Sequence, residues 1–275
     1  MGELKALNVV YHFNHSYDLV PIHLLEKYVK TSDIENLLLR LQGNGLITKQ
    51  NRGYPGIKLT FNGLSILALH KLRHQGVVEY IGKVKGEGKE SVVYGGYSDE
   101  NGEVVIKLHR LGSTSFKKVR EVRDYGGHNW ILTSSVSAGR EYNCLKRLMG
   151  ALNVPRVFGY ALNAVVMEYL DGKEMVSVKI GNPEDALDFL IEQVKRMYKL
   201  GIVHGDLSEY NVLVSNGDMY LIDFPQYADA HTERGKKLLE RDVKIMLTYF
   251  QKRYGIDMDV NQVVEYIRRD VPSEP

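Results

Sequence analysis

Val203-His-Gly-Asp206-Leu-Ser-Glu-Tyr-Asn211-Val-Leu-Val214, with Tyr220-Leu-Ile-Asp223-Phe224 a few residues on, decides how this chain is read. What matters is the order and spacing of Asp206, Asn211 and Asp223, the carboxamide five residues after the first carboxylate. Just upstream, Leu187, Leu190, Ile191, Val194 and Met197 recur at helical spacing, so an apolar-faced helix leads into the stretch.

The rest of the chain sets bounds. Its 275 residues, 44% hydrophobic and 25% charged, leave room for one or two cored domains. Cys144 is the one cysteine, which excludes an intrachain disulfide or a cysteine zinc site and favours a reducing, cytoplasmic setting. No apolar run approaches a membrane span, and the opening MGELKALNVV lacks the layout of a secretory signal. Net charge is only +2, but Lys107, Arg110, Lys117, Lys118, Arg120 and Arg123 cluster with only Glu121 and Asp124 nearby to oppose them. Such a cluster is either a solvated surface run or the mark of an anionic partner.

Residues 1–76 read as a small separate domain. Pro21 suits the first turn of a helix through Ile22–Lys30. Ser32 and Glu35 have capping-box spacing before the amphipathic run Ile34, Leu37, Leu38, Leu41, which ends at Gly43-Asn-Gly45. Strands are expected over 46–49 and 56–60, and a helix over 64–72. Helix, helix, strand, turn-rich loop, strand, helix resembles a winged helix, with Lys49, Arg52 and Lys58 as phosphate contacts from the wing if the partner is RNA. Docking a protein, or bracing the second domain, is the alternative.

Residues 77–275 carry the chemistry. A strand over 78–85, the turn Gly86-Glu-Gly88-Lys89-Glu90-Ser91 and a strand from Val92 make a glycine-rich hairpin, whose bare Cα atoms let backbone approach phosphates. Glu103-Val-Val-Ile-Lys107 puts a lysine on a strand, and Val165-Val-Met167-Glu168-Tyr-Leu170 is a buried strand running into a turn.

The order resembles protein kinases, and the resemblance assigns roles. Lys107 would reach the first phosphates and pair with a helical glutamate, best Glu141 on a helix from Arg140, with Glu121 as the alternative. Main chain near Glu168 and Leu170 would hold adenine, with Met167 lining its pocket. Asp206 would accept the substrate hydroxyl proton, and Asn211 and Asp223 would hold magnesium.

Departures narrow the family. Gly205 replaces the Arg of His-Arg-Asp, Ser208 replaces the usual Lys, and Pro225 replaces the Gly of Asp-Phe-Gly. Only 52 residues follow Asp223, without Ala-Pro-Glu or room for a large peptide-docking subdomain. Gly-Lys-Glu-Ser91, Ser-Ala-Gly-Arg-Glu141-Tyr, His-Gly-Asp206-Leu-Ser-Glu-Tyr-Asn211 and Ile-Asp223-Phe-Pro-Gln together resemble the RIO atypical kinases, and the winged-helix pattern resembles their second subfamily.

The fold class expected is α+β: a winged helix over 1–76, then a trimmed two-lobed kinase domain, its lobes about 77–167 and 171–275. The resemblance implies an ATP- and Mg2+-dependent serine kinase, with Mn2+ as a substitute cation, that phosphorylates itself and acts on the precursor of the small ribosomal subunit and its rRNA. It also implies ATPase behaviour, with Asp223 as a carboxylate nucleophile. Ser113, Thr114, Ser115, Ser134, Ser135 and Ser137 sit in a segment, 111–138, read as a loop and as the place of autophosphorylation. A small-molecule kinase of the aminoglycoside or choline type, and a nucleotide-switched binding factor, are the competing readings.

Overall fold

The computed structural model describes residues 2–31, 33–51, 53–111 and 130–269. They fall into two compact units, Met1–Gly139 with Phe158–Glu168, and Arg140–Val157 with Tyr169–Pro275.

The first unit begins with α1 (Gly2–Phe13), β1 (Val20–Pro21), α2 (Ile22–Tyr28), α3 (Ile34–Gly43), the hairpin β2 (Ile47–Asn51) and β3 (Pro55–Leu59), and α4 (Phe61–His74). The strands form an antiparallel sheet in the order β1-β3-β2. Leu7, Leu25, Leu41, Ile57 and Leu64 are fully buried in its core. The start of α3 differs from the capping box expected: Asp33 is the N-cap, its carboxylate accepting the Asn36 N–H at 2.9 Å. Ser32 lies outside the described residues. Helix α4 is longer than expected because Thr60 caps it, accepting the Gly63 N–H. A side chain at Gly63 would put its Cβ 2.0 Å from the Leu46 carbonyl oxygen, so the helix meets the hairpin only through glycine.

Next come β4 (Tyr80–Glu87), β5 (Ser91–Ser98), β6 (Gly102–His109), α5 (Trp130–Leu148), β7 (Val157–Ala161) and β8 (Ala164–Glu168), the strands forming a sheet in the order β4-β5-β6-β8-β7. Val78, Val104, Ile106 and Val166 pack with Ala68 and Leu72 of α4, which serves both hydrophobic clusters of this unit. Helix α5 corrects the expectation of a loop to Ala138 and a helix from Arg140. Ile131, Ser134, Ala138, Glu141, Leu145 and Leu148 recur at helical spacing and are all buried, so part of the inward stripe is polar. Ser134 is buried and accepts the Leu111 N–H at 3.0 Å, Ser135 donates to the Ile131 carbonyl, and Ser137 is buried. These three serines are structural parts of a helix; Ser113, Thr114 and Ser115 lie outside the described residues.

The second unit is built from the part of α5 that follows Gly139, β9 (Gly172–Glu174), a 3-10 turn (Met175–Ser177), α6 (Pro183–Lys199), β10 (Ile202–Val203), β11 (Val212–Ser215), β12 (Asp218–Leu221), β13 (Ala228–Asp229), α7 (Glu233–Tyr254) and α8 (Val260–Arg268). Pro183 occupies the first turn of α6, followed by Glu184 and Asp185, which suit a positive helix end. Leu190, Val194, Val243, Phe250 and Ile267 bring α6, α7 and α8 into contact with their apolar faces buried. Strands β12-β11-β9 form one small sheet and β10-β13 another.

Candidate active site

In the first unit the glycine-rich turn is held by its own strands and by one arginine. Glu87 pairs with Val92 across the β4–β5 hairpin, and the Gly88 N–H donates to the Ser91 carbonyl at 2.9 Å. Arg110 donates through Nη2 to Glu87 (3.1 Å) and to the Gly88 carbonyl (3.3 Å), and its own N–H donates to the Glu90 carbonyl at 2.7 Å. Its guanidinium lies 5.5 Å from the Phe61 ring centre. A Cβ built on Gly86 meets nothing within 4 Å, and one on Gly88 meets only the Ser91 carbonyl at 3.7 Å. The turn's protein neighbours do not demand glycine there; a ligand coming close to the backbone would. Lys89 is exposed, and Glu90 and Ser91 are half-buried.

The sheet register places the other first-unit residues. Lys107 on β6 pairs with Val93 of β5 and Val165 of β8, and is only 7% exposed, as Val92 and Met167 are also buried. Met167 faces Val105, and Glu168 faces Val104 at the strand end. Lys107 is therefore a cation carried inside the sheet layer rather than a surface lysine, which is costly without an anionic ligand or partner.

The second unit collects the catalytic-loop residues. Val212 pairs with Leu221 at the open end of the β11–β12 hairpin, so Asn211 and Asp223, just outside that pair, emerge at the same end. The Ile222 N–H donates to the Asn211 carbonyl at 3.0 Å. The Asn211 Nδ2 donates to the Asp206 carbonyl at 2.7 Å, which commits the amide nitrogen and leaves Oδ1 as the donor atom for a cation. Asp223 has φ +69°, the left-handed region that a non-glycine residue enters at some cost. An amide oxygen and a carboxylate fit Mg2+, which takes few protein ligands and completes its shell with water and phosphate oxygens. Asp206 is exposed. Leu170 is half-buried at the start of this unit.

Three side chains brace this loop. His204 is buried, 3.0 Å from the Ile222 carbonyl through Nε2 and 4.4 Å from the Phe224 ring centre. Glu141 is buried and accepts the Phe224 N–H at 3.2 Å; its neighbour Arg140 donates to the Tyr227 carbonyl at 2.6 Å and stacks on the Tyr227 ring. Two consecutive residues of α5 thus hold both ends of the segment after Asp223. Gly205 has φ +79°, and a Cβ there would lie 2.7 Å from the Gln226 carbonyl oxygen, so the arginine usual in kinases does not fit this backbone.

Asp242 and Arg241 were not legible as site residues. Asp242, on α7, is 1% exposed and accepts the Gly205 N–H at 2.8 Å. Arg241 donates to the Gly205 carbonyl and to Asp242 (3.2 Å), and lies 3.9 Å from the Asp206 carboxylate. Burial pushes the Asp242 carboxyl up to about 6, against the lowering pull of the Gly205 N–H and Arg241. Of the wing residues, Lys49 is exposed, Lys58 is paired with Asp18, and Arg52 lies outside the described residues.

A model of the RIO domain matches residues 92–270, and one of the Rio2 N-terminal region matches residues 1–75. The chain belongs to the RIO family, in its Rio2 branch. Among its Rio2 relatives, a RIO-type serine/threonine-protein kinase of Methanocaldococcus jannaschii is 30% identical over 271 residues, covering 92% of this chain and 99% of that one. The serine/threonine-protein kinase of Dictyostelium discoideum is 32% identical over 249 residues, 87% of this chain, and the chain spans about half (48%) of its length. The Rio2 kinase from Chaetomium thermophilum, solved as an ADP/Mg2+-phosphoaspartate complex, superposes with a TM-score of 0.84 at 25% identity, covering 98% of this chain and 87% of that one.

Proposed function

We propose that this Rio2-family chain is an Mg2+- and ATP-dependent serine/threonine kinase that also hydrolyses ATP through a phosphoryl group carried on Asp223, and that it acts on the maturing small ribosomal subunit. What carries the reading is the end of the β11–β12 hairpin, where Asn211 and Asp223 emerge together and Asn211 is tied to the Asp206 backbone. Gly86–Val92 cradle the phosphates, Lys107 neutralises them, and backbone near Glu168 and Leu170 holds the adenine beside Met167. Mg2+ supplies charge neutralisation at the phosphoryl oxygens. Asp206 takes the proton of an acceptor hydroxyl.

In the hydrolytic branch an Asp223 oxygen forms a bond to the γ-phosphorus as the bond to the ADP oxygen breaks, and water then releases phosphate from the acyl phosphate. A relative captured with ADP, Mg2+ and phosphoaspartate supports this branch. The N-terminal domain has the helix and hairpin order of a winged helix, and its exposed Lys49 suits a polyanion such as rRNA.

The test is acid-quench labelling with γ-labelled ATP. The expected result is a hydroxylamine-labile phosphoenzyme in the wild type, absent from Asp223→Asn and from Lys107→Met. Label that survives at Asp223→Asn removes the nucleophile assignment, and undiminished turnover in Lys107→Met removes the nucleotide site itself.

A further inference from the structure

We infer that the exposed face of α7 beside Asp206 is the docking surface for an acidic segment of a protein substrate. This rests on the kinase reading and names the substrate class for the same site.

Arg241, Lys244, Thr248 and Lys252 recur at i, i+3, i+7 and i+11, so they share one face of the helix. At 1.5 Å per residue the stripe is about 17 Å long. With Arg253 and Glu209 it borders a cavity of about 460 Å³ floored by Ile245 and Tyr249. Four cations therefore face one carboxylate. The stripe starts at the reaction, since Arg241 lies 3.9 Å from the Asp206 carboxylate and Glu209 follows three residues after Asp206 in the same loop.

Structural duty accounts for only part of that charge. Arg241 is held by Gly205 and Asp242, and Arg253 donates to the Val178 carbonyl at 3.3 Å. Lys244 and Lys252 are exposed and make no ion pair or hydrogen bond among the described residues. Lys252 belongs to the last turn of α7, where a cation also suits the helix dipole; Lys244, mid-helix, has no such explanation.

The floor favours a peptide over a nucleic acid. Tyr249 is buried, with its hydroxyl on the Met175 carbonyl at 3.3 Å, so it offers no open ring face for a base to stack on. An aliphatic side chain beside Ile245 and carboxylates on the rim complement what is there. An extended peptide advances about 3.3 Å per residue, so the stripe spans the first five or so residues flanking an acceptor hydroxyl held at Asp206. Glu209 stands at the catalytic end and disfavours a carboxylate directly beside the acceptor.

The experiment is a fluorescence-anisotropy titration of the full chain with ADP and Mg2+, using labelled 12-residue probes around one serine: Glu-rich, neutral and Lys-rich, plus a single-stranded RNA oligonucleotide. The Glu-rich probe should bind most tightly to the wild type, more weakly as salt rises, and about tenfold more weakly to Lys244→Glu/Lys252→Glu. The double variant should gain affinity for the Lys-rich probe while its ATP hydrolysis stays at the wild-type rate. Equal Glu-rich binding by both proteins, no such binding to the wild type, or RNA lost in parallel with and displacing the peptide would each overturn the docking assignment. Binding is read without phosphotransfer, so a chain that binds the probe through the stripe yet labels nothing refutes the kinase reading and leaves the surface standing.

Discussion

Asp242→Asn separates what the buried carboxyl does for the fold from what it does for the loop. Its ionised form is disfavoured by burial, so the native state keeps a proton between about pH 4 and about 6 that the unfolded chain has already released. The unfolded state then binds fewer protons, and stability falls as pH rises through that window. A shift of about two units corresponds to roughly 3 kcal/mol. The carboxamide keeps an oxygen for the Gly205 N–H and removes the charge, so the fall disappears. That net shift already contains the opposing pull of Arg241 and the Gly205 N–H, so no further charge contribution is subtracted. The variant should therefore be about 3 kcal/mol more stable than wild type at pH 7 and about equal to it at pH 4. Arg241 loses its Asp242 partner in the variant while lying 3.9 Å from the Asp206 carboxylate, and on the proposed role of Asp206 turnover should fall by on the order of tenfold. Urea unfolding from pH 4 to 8 and ATP turnover at pH 7.5 read both effects. Parallel pH–stability curves for the two proteins would refute the argument.

Gly205→Ala combines a positive φ with a Cβ 2.7 Å from the Gln226 carbonyl oxygen and should cost about 2–4 kcal/mol in urea unfolding; a loss below about 0.5 kcal/mol would mean the loop adapts freely. Arg110→Ala releases the Glu87 and Gly88 contacts of the glycine-rich turn, so the KM for ATP should rise about fivefold with kcat nearly unchanged; an equal fall in kcat would place Arg110 in the transition state instead.

What the sequence made legible was what short-range geometry determines. Asn211 and Asp223 flank one hairpin, so their spacing along the chain is also their placement in space, and the glycine-rich turn is likewise a local object. Asp242 was hidden because its partner Gly205 lies 37 positions away in the chain. Its signal was an aspartate inside the inward stripe of Leu239, Val243, Met246 and Phe250, where a charge needs a specific partner. Arg110 passed for one member of a basic run because nothing in the sequence shows that it folds back over the turn. The first turns of α5 read as a loop because Ser134 and Ser137, polar by composition, occupy buried positions on its inward face. At α3 the acid one residue after Ser32 took the capping role, an offset that the Ser-to-Glu spacing concealed.

The left-handed backbone at Asp223 bears on how the position is chosen. Asparagine is among the residues that tolerate this conformation best and has the same shape as aspartate. Selection for a well-folded chain alone would accept asparagine there. On the proposed nucleophile role, a screen that ranks variants by melting temperature has no means of rejecting asparagine at residue 223, and only a turnover assay separates the two side chains.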